Sequence, residues 1–284
     1  MSLVVAPAAR GFGATVTGLD LSRPLPPATL AAVEAAWAAH AVLSFPGQPL
    51  DLDAQETLTR SLGEFGHDPF IEALPGHPHI LELRREASET APNFGAAWHS
   101  DWSFQRTPPA ATMLHAKIVP PVGGDTLFAD CAAAYDALSP TFQRLCDGLT
   151  AVHSAKLPYG RDGIYAKETS PRAMRIVTGE AAEATQEHPL VRVHPVTGRR
   201  ALYCSPVYTV GIAGMTQAEG YAILGHLFAA IVVPGNIFRH RWAATTLLLW
   251  DNRVTVHFAE GGYDGHLRVM HRTTVAGEAV VGVA

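Results

Sequence analysis

Residues 250–257 read Trp250-Asp251-Asn252-Arg253-Val254-Thr255-Val256-His257, and residues 268–272 read Arg268-Val269-Met270-His271-Arg272. β-branched and apolar residues fill both runs, and Gly261–Gly265 separates them, so the pattern predicts two strands and a turn, Thr255–Phe258 and Arg268–Val275. Alternation along a strand puts Arg268, Met270 and Arg272 on one face. A turn at Gly261–Gly265 would make the two strands neighbours. Working outward, further strands are predicted at Ala14–Val16, Ala41–Ser44, His79–Leu83, Thr112–Ile118, Asp125–Phe128, Ala201–Cys204 and Thr245–Trp250. The 25 Gly and 21 Pro suit a turn-rich architecture, and the predicted fold class is mainly β (α+β).

Helices are fewer. Ala28–His40 follows Pro26-Pro27, where prolines are tolerated at a helix start. Asp53–Leu62 begins beside a capping Asp51. Thr216-Gln217-Ala218-Glu219 fits a capping box, with an apolar helix to Ala230. Two short helices fit within Ala132–Leu145. The segment from about 155 to 187 mixes charge, Gly and Pro without periodicity, which predicts a lid loop over a site.

With 284 residues and 48% apolar composition the chain can bury a large core, and residues 1–284 are read as one domain. The formal charge is -5 and no basic block stands out, which argues against nucleic acid as partner. No apolar run reaches the length of a membrane span. The first residues lack the basic start and apolar stretch of a signal peptide. Three widely spaced cysteines, Cys131, Cys146 and Cys204, read as reduced thiols, which points to the cytoplasm.

The chemistry begins at Trp98-His99-Ser100-Asp101-Trp102. In an extended chain His99 and Asp101 share a face and can grip one metal. Alone the pair carries little weight, because 14 His and 26 Asp+Glu supply roughly one such pair by chance. His257 and the arginine eleven positions after it change this. Two His and one carboxylate leave three open positions on an octahedral iron, the facial triad of non-haem Fe(II) oxygenases. Those positions suit a bidentate keto acid and dioxygen, and the planar fork of an arginine suits the keto acid's far carboxylate.

At these residues the sequence resembles the taurine/2-oxoglutarate dioxygenase family, which also includes alkylsulfatases and aryloxyalkanoate dioxygenases. The resemblance runs through Trp98–Asp101, Gly123-Gly124-Asp125-Thr126-Leu127-Phe128, Ala134–Leu138, His188–Arg199, Trp250–Arg253 and Met270–Arg272. It implies that His99, Asp101 and His257 bind iron. It implies that Thr126 and Arg268 hold the distal carboxylate of 2-oxoglutarate, and that Arg272 faces the substrate and reaches the cosubstrate. No catalytic residue is expected beyond the metal ligands. The implied fold is a double-stranded β-helix, or jelly roll, with flanking helices, and a homo-oligomer, dimer or tetramer, is expected.

The sulfonate-using members place a histidine directly before a proline upstream of the metal motif. Here the run is Gly66-His67-Asp68-Pro69, so Asp68 stands before the proline and His67 is shifted by one. An Asp there would repel a sulfonate, which argues against taurine. Trp102 and Phe104 beside the metal motif suggest an apolar pocket. Arg272, as a buried charge, should meet an anion. The expected substrate is a small organic anion with an apolar or aromatic body, bound by Arg272, His67, Asp68, Trp102 and Phe104. Hydroxylation would accompany decarboxylation of 2-oxoglutarate to succinate, with release of sulfate, sulfite or an aryl alcohol where the attacked carbon carries one. The rival readings are a biosynthetic hydroxylase of an unactivated carbon, a zinc hydrolase on the same ligands, and a β-barrel that binds a metal or ligand without turnover. Trp250, Asn252 and Arg253 read as structural, and Tyr203 and Tyr208 as packing, with lining of the pocket as the alternative.

Overall fold

The computed structural model describes residues 3–283. Its largest element is an eight-stranded sheet in the order Val4–Pro7, Ala14–Thr17, Val42–Phe45, Leu247–Asp251, Ala111–Ile118, Arg268–Val275, His77–Arg85 and Ala73–Leu74. All its pairings are antiparallel except that between Ala14–Thr17 and Val42–Phe45. A three-stranded sheet, Ile237–His240, Thr126–Asp130 and Thr255–Ala259, packs against it. Thr209–Ile212, Thr150–Ser154 and Thr185–Pro189 form another, and Val191–Val193 pairs with Arg200–Leu202. The protein is mostly β with flanking helices.

The central strands of the large sheet are near-continuous apolar runs because both their faces are buried. Val42, Leu114, Ala116, Leu248, Trp250 and Met270 point inward and meet Phe128 of the smaller sheet. Their neighbours Leu43, Met113, Leu247 and Leu249 point outward, under Val33 and Trp37 of the helix Pro27–His40 and Leu58 of the helix Leu52–Leu62. Each helix starts as its sequence implies. Pro27 occupies the first turn, and the Asp51 carboxylate accepts from Ala54 N–H at 2.8 Å. The capping box at Thr216–Glu219 opens the helix Gln217–Ile231. The two short helices are Cys131–Asp136 and Pro140–Asp147. No helix among the described residues is long and apolar enough to cross a membrane.

Two expectations need correction. Thr255–Ala259 and Arg268–Val275 are not neighbours: the first lies in the three-stranded sheet, the second in the eight-stranded one. The loop between them crosses from sheet to sheet, so His257 faces the arginines across a gap. Residues 155–187 are also not bare loop. They hold the helix Lys156–Tyr159, a 3₁₀ turn at Glu180–Glu183 and the start of the strand Thr185–Pro189.

Candidate active site

The gap between the eight-stranded sheet and the sheet carrying His257 holds the candidate site. The chain at His99 joins that smaller sheet by a bridge. His99 N–H donates to His257 O at 3.1 Å, and His257 N–H donates to His99 O at 2.8 Å. His99 is a single bridged residue rather than part of a strand, and the chain turns at Asp101. Trp102 holds a positive φ of 46° there. Ser100 anchors the turn by donating its hydroxyl to Asn252 O at 2.7 Å. The Asn252 amide donates to Thr112 Oγ1 and accepts from the Trp250 indole, which supports its structural reading.

This geometry brings the three predicted ligands together. One donor atom each from His99, Asp101 and His257 lies within 4.8 Å of the others. Asp101 Oδ1 is 3.7 Å from His99 Nε2 and 3.9 Å from His257 Nε2. Thr112 donates to Asp101 Oδ2 at 2.6 Å, which turns Oδ1 toward the histidines. His99 Nδ1 lies 2.7 Å from Ala97 O. A carbonyl only accepts, so Nδ1 carries the proton and the Nε2 lone pair faces Asp101. Burial pushes the His257 imidazole down to about 3, with His99 adding to the effect, and burial lowers His99 too. Burial alone would raise Asp101, but Arg272 and the two histidines outweigh it and hold the carboxyl below its ordinary value. Two neutral imidazoles and one carboxylate are the protonation states a divalent cation needs. The donor set therefore fits Fe(II).

Across the gap, Arg268 is buried and makes no ion pair among the described residues. Its Nε has no hydrogen-bond partner, and its guanidinium carbon sits 5.7 Å from the Tyr263 ring centre. Burial lowers its pKa, opposed only by Tyr263. Thr126 is brought to the same cavity by a close crossing of loops. Gly123 has a φ of 64°, and a Cβ there would meet Gly262 O at 2.5 Å, so only glycine fits. Gly124 N–H then donates to Gly261 O at 3.0 Å. Thr126 Oγ1 accepts from the Trp242 indole at 3.0 Å. His99, Thr126, His257, Arg268 and Arg272 share one cavity wall.

A family model described as taurine catabolism dioxygenase TauD, TfdA family matches residues 5–274. The chain belongs to this family. An alpha-ketoglutarate-dependent sulfate ester dioxygenase of Pseudomonas putida is 35% identical to it, over 100% of this chain and 92% of the relative. An alpha-ketoglutarate-dependent 2,4-dichlorophenoxyacetate dioxygenase of Cupriavidus pinatubonensis is 33% identical over 99% of this chain and 100% of the relative. The crystal structure of AAD-2 with Mn(II) and N-oxalylglycine superposes with a TM-score of 0.82 at 30% identity, covering 99% of this chain and 100% of that one. The TauD/TfdA member described here is accordingly an Fe(II)- and 2-oxoglutarate-dependent dioxygenase, an oxidoreductase that consumes O2.

A second cavity of the dioxygenase, about 220 Å³, opens beside the same histidine and aspartate. Phe94, Trp102, Tyr159, Tyr165 and Tyr208 form its aromatic walls, with Arg272 at its base. Of these, Tyr159 and Tyr165 went unnoticed in the sequence, and Tyr208, read first as packing, takes the alternative place in the pocket wall. They lie far from the metal motif along the chain, and no spacing rule ties them to it. Tyr159 and Tyr165 come from the segment predicted as a lid. Thr112 was also missed, because a strand threonine gives no sign that it will face a carboxylate.

The predicted substrate contacts divide. Trp102 and Arg272 line the cavity. His67 is exposed, and its carbonyl accepts from Gln105 instead of its ring meeting a ligand. Phe104 packs behind Trp102 and Tyr208, one layer outside the wall. Asp68 is not on either wall. Its Oδ1 accepts from the Trp102 indole and lies 3.4 Å from Arg272, and its Oδ2 accepts from Thr274 at 3.2 Å. Arg272 is therefore not an unpaired charge: it also lies 3.1 Å from Asp101.

Proposed function

We propose that His99, Asp101 and His257 hold the Fe(II), and that Thr126 and Arg268 hold the distal carboxylate of 2-oxoglutarate. We propose that the aromatic cavity takes the apolar or aromatic body of a small organic anion. The observation that carries this reading is the convergence of the three donor atoms within 4.8 Å of one another, beside two cavities that share His99 and Arg272. Bound there, iron supplies dioxygen activation coupled to decarboxylation of 2-oxoglutarate to succinate and hydroxylation of a substrate carbon.

The chain's own residues position and seal. Thr112 orients Asp101, and the Ala97 carbonyl sets the His99 tautomer. Arg268 is a buried cation that requires an anion, which 2-oxoglutarate brings. The aromatic walls exclude water from the substrate body. Sulfate esters and aryloxy acids, the substrates named for the relatives, both combine an anionic head with an apolar body. Hydroxylation at a carbon bearing sulfate, sulfonate or aryl ether would release sulfate, sulfite or an aryl alcohol.

The facing antiparallel sheets support a double-stranded β-helix. Residues 1–284 form one domain in this reading, and residues 155–187 act as its lid, since Tyr159, Tyr165, Arg172 and Met174 reach the cavity walls. Three buried free thiols agree with a reducing cytoplasm. Light scattering would test the expected dimer or tetramer.

Asp101→Ala tests the triad. Succinate release should fall at least about 100-fold, as expected for loss of a metal ligand. The fold should survive because Arg272 keeps Asp68 as a partner. Full retained turnover would refute the assignment.

A further inference from the structure

Asp68 enters the site from behind. The backbone bridge between Phe65 and Val275 and the bond from Gly66 N–H to Thr274 O (2.9 Å) lay this segment along the strand that carries Arg272. A Cβ at Gly66 would meet Thr274 Oγ1 at 2.5 Å, so glycine permits the approach. The Asp68 carboxylate is then buried under three partners: the Trp102 indole, the Thr274 hydroxyl and the Arg272 guanidinium. Trp102 also stacks its ring over that guanidinium, 5.0 Å from ring centre to carbon.

The charges of the site balance before any substrate arrives. Fe(II) and the dianionic keto acid cancel, and Asp101 and Asp68 match Arg268 and Arg272. The neighbouring charges are spoken for: Arg172 pairs with Glu168 and Glu89, Arg85 with Asp264, and Arg84 with Glu86. An anionic head that reaches Arg272 meets a cation already shared by two carboxylates.

We infer that Asp68 is a specificity-setting residue that acts through Arg272: it occupies that arginine internally, so the head contributes little and the aromatic cavity selects substrate by its body. This deepens the proposed function and rests on it. Asp68 touches no substrate and is a positioning residue.

Asp68→Asn separates charge from structure, because the amide oxygen still accepts from the Trp102 indole while the charge is gone. Calorimetry on the full chain with Fe(II) and 2-oxoglutarate under nitrogen would compare hexyl sulfate and phenoxyacetate with hexanol and phenoxyethanol. Asp68→Asn should bind both anions about tenfold more tightly than wild type, with a steeper salt dependence. The two alcohols should bind both proteins alike, and Asp68→Glu should restore weak anion binding. Equal or weaker anion binding by Asp68→Asn would overturn the inference, as would an equal gain for the alcohols. Succinate release by wild type across sulfates, sulfonates and aryloxy acids reads the proposed function separately, so each can fail without the other.

Discussion

His99 and His257 exchange two backbone hydrogen bonds, 3.1 and 2.8 Å long, and their ring centres lie 4.1 Å apart. Two proposed ligands far apart in sequence are thus fixed by the same ladder that builds the smaller sheet. The ladder fixes where the two side chains start; the Ala97 carbonyl then holds the His99 ring, and packing against Phe128 and Trp250 holds that of His257.

Asp101 depends on a neighbour for its aim. Thr112→Val removes the hydroxyl that turns Oδ1 toward the histidines and strips the Asn252 amide of its acceptor. Fe(II) affinity should drop about 10- to 100-fold. Stability should fall by about 1–3 kcal/mol, the cost of a buried donor left unmade. Metal titration and urea unfolding read the two effects independently.

Arg268 offers a planar fork to the proposed keto-acid carboxylate. Arg268→Lys keeps the charge and loses the second contact. The KM for 2-oxoglutarate should rise about 10-fold, with little change in kcat at saturation. An unchanged KM in succinate assays would place that carboxylate elsewhere.

Acid should weaken the fold through histidines outside the metal site. Burial pushes His153 down to about 3, and His115 and His240 down to about 4. Unfolded, each takes a proton near its ordinary 6.5; folded, it refuses one until well below that. The unfolded state therefore binds more protons between those values, and stability present above about pH 6.5 is lost as pH falls toward 4. Each group contributes a slope of up to about 1.4 kcal/mol per pH unit. A Tm that stays level between about pH 7 and about pH 5 would contradict this.

Much was legible because local rules coincide with global ones at particular residues. Arg268–Val275 is rich in β-branched residues and lies between Gly265 and Gly277, and it is a strand over those residues. Thr216–Glu219 carries its own capping chemistry, and the helix starts there. Thr185–Pro189 was illegible: Thr-Gln-Glu-His-Pro has no strand pattern and becomes one through its ladder with Thr150–Ser154. The aromatic walls were hidden for a related reason, since Tyr159, Tyr165 and Tyr208 reach the site by tertiary packing alone.

By itself, the sequence determined which residues are candidates: the proposed donors His99, Asp101 and His257, and the arginines Arg268 and Arg272. Side-chain chemistry and ordered motifs suffice for that. Only the tertiary structure decided which of those charges are free. Asp68 and Arg272 are distant in the chain, and nothing in either residue type announces that they meet. Folding buries both beside Trp102, where low polarity makes pairing obligatory, and leaves Arg268 as the cation still open to an anion.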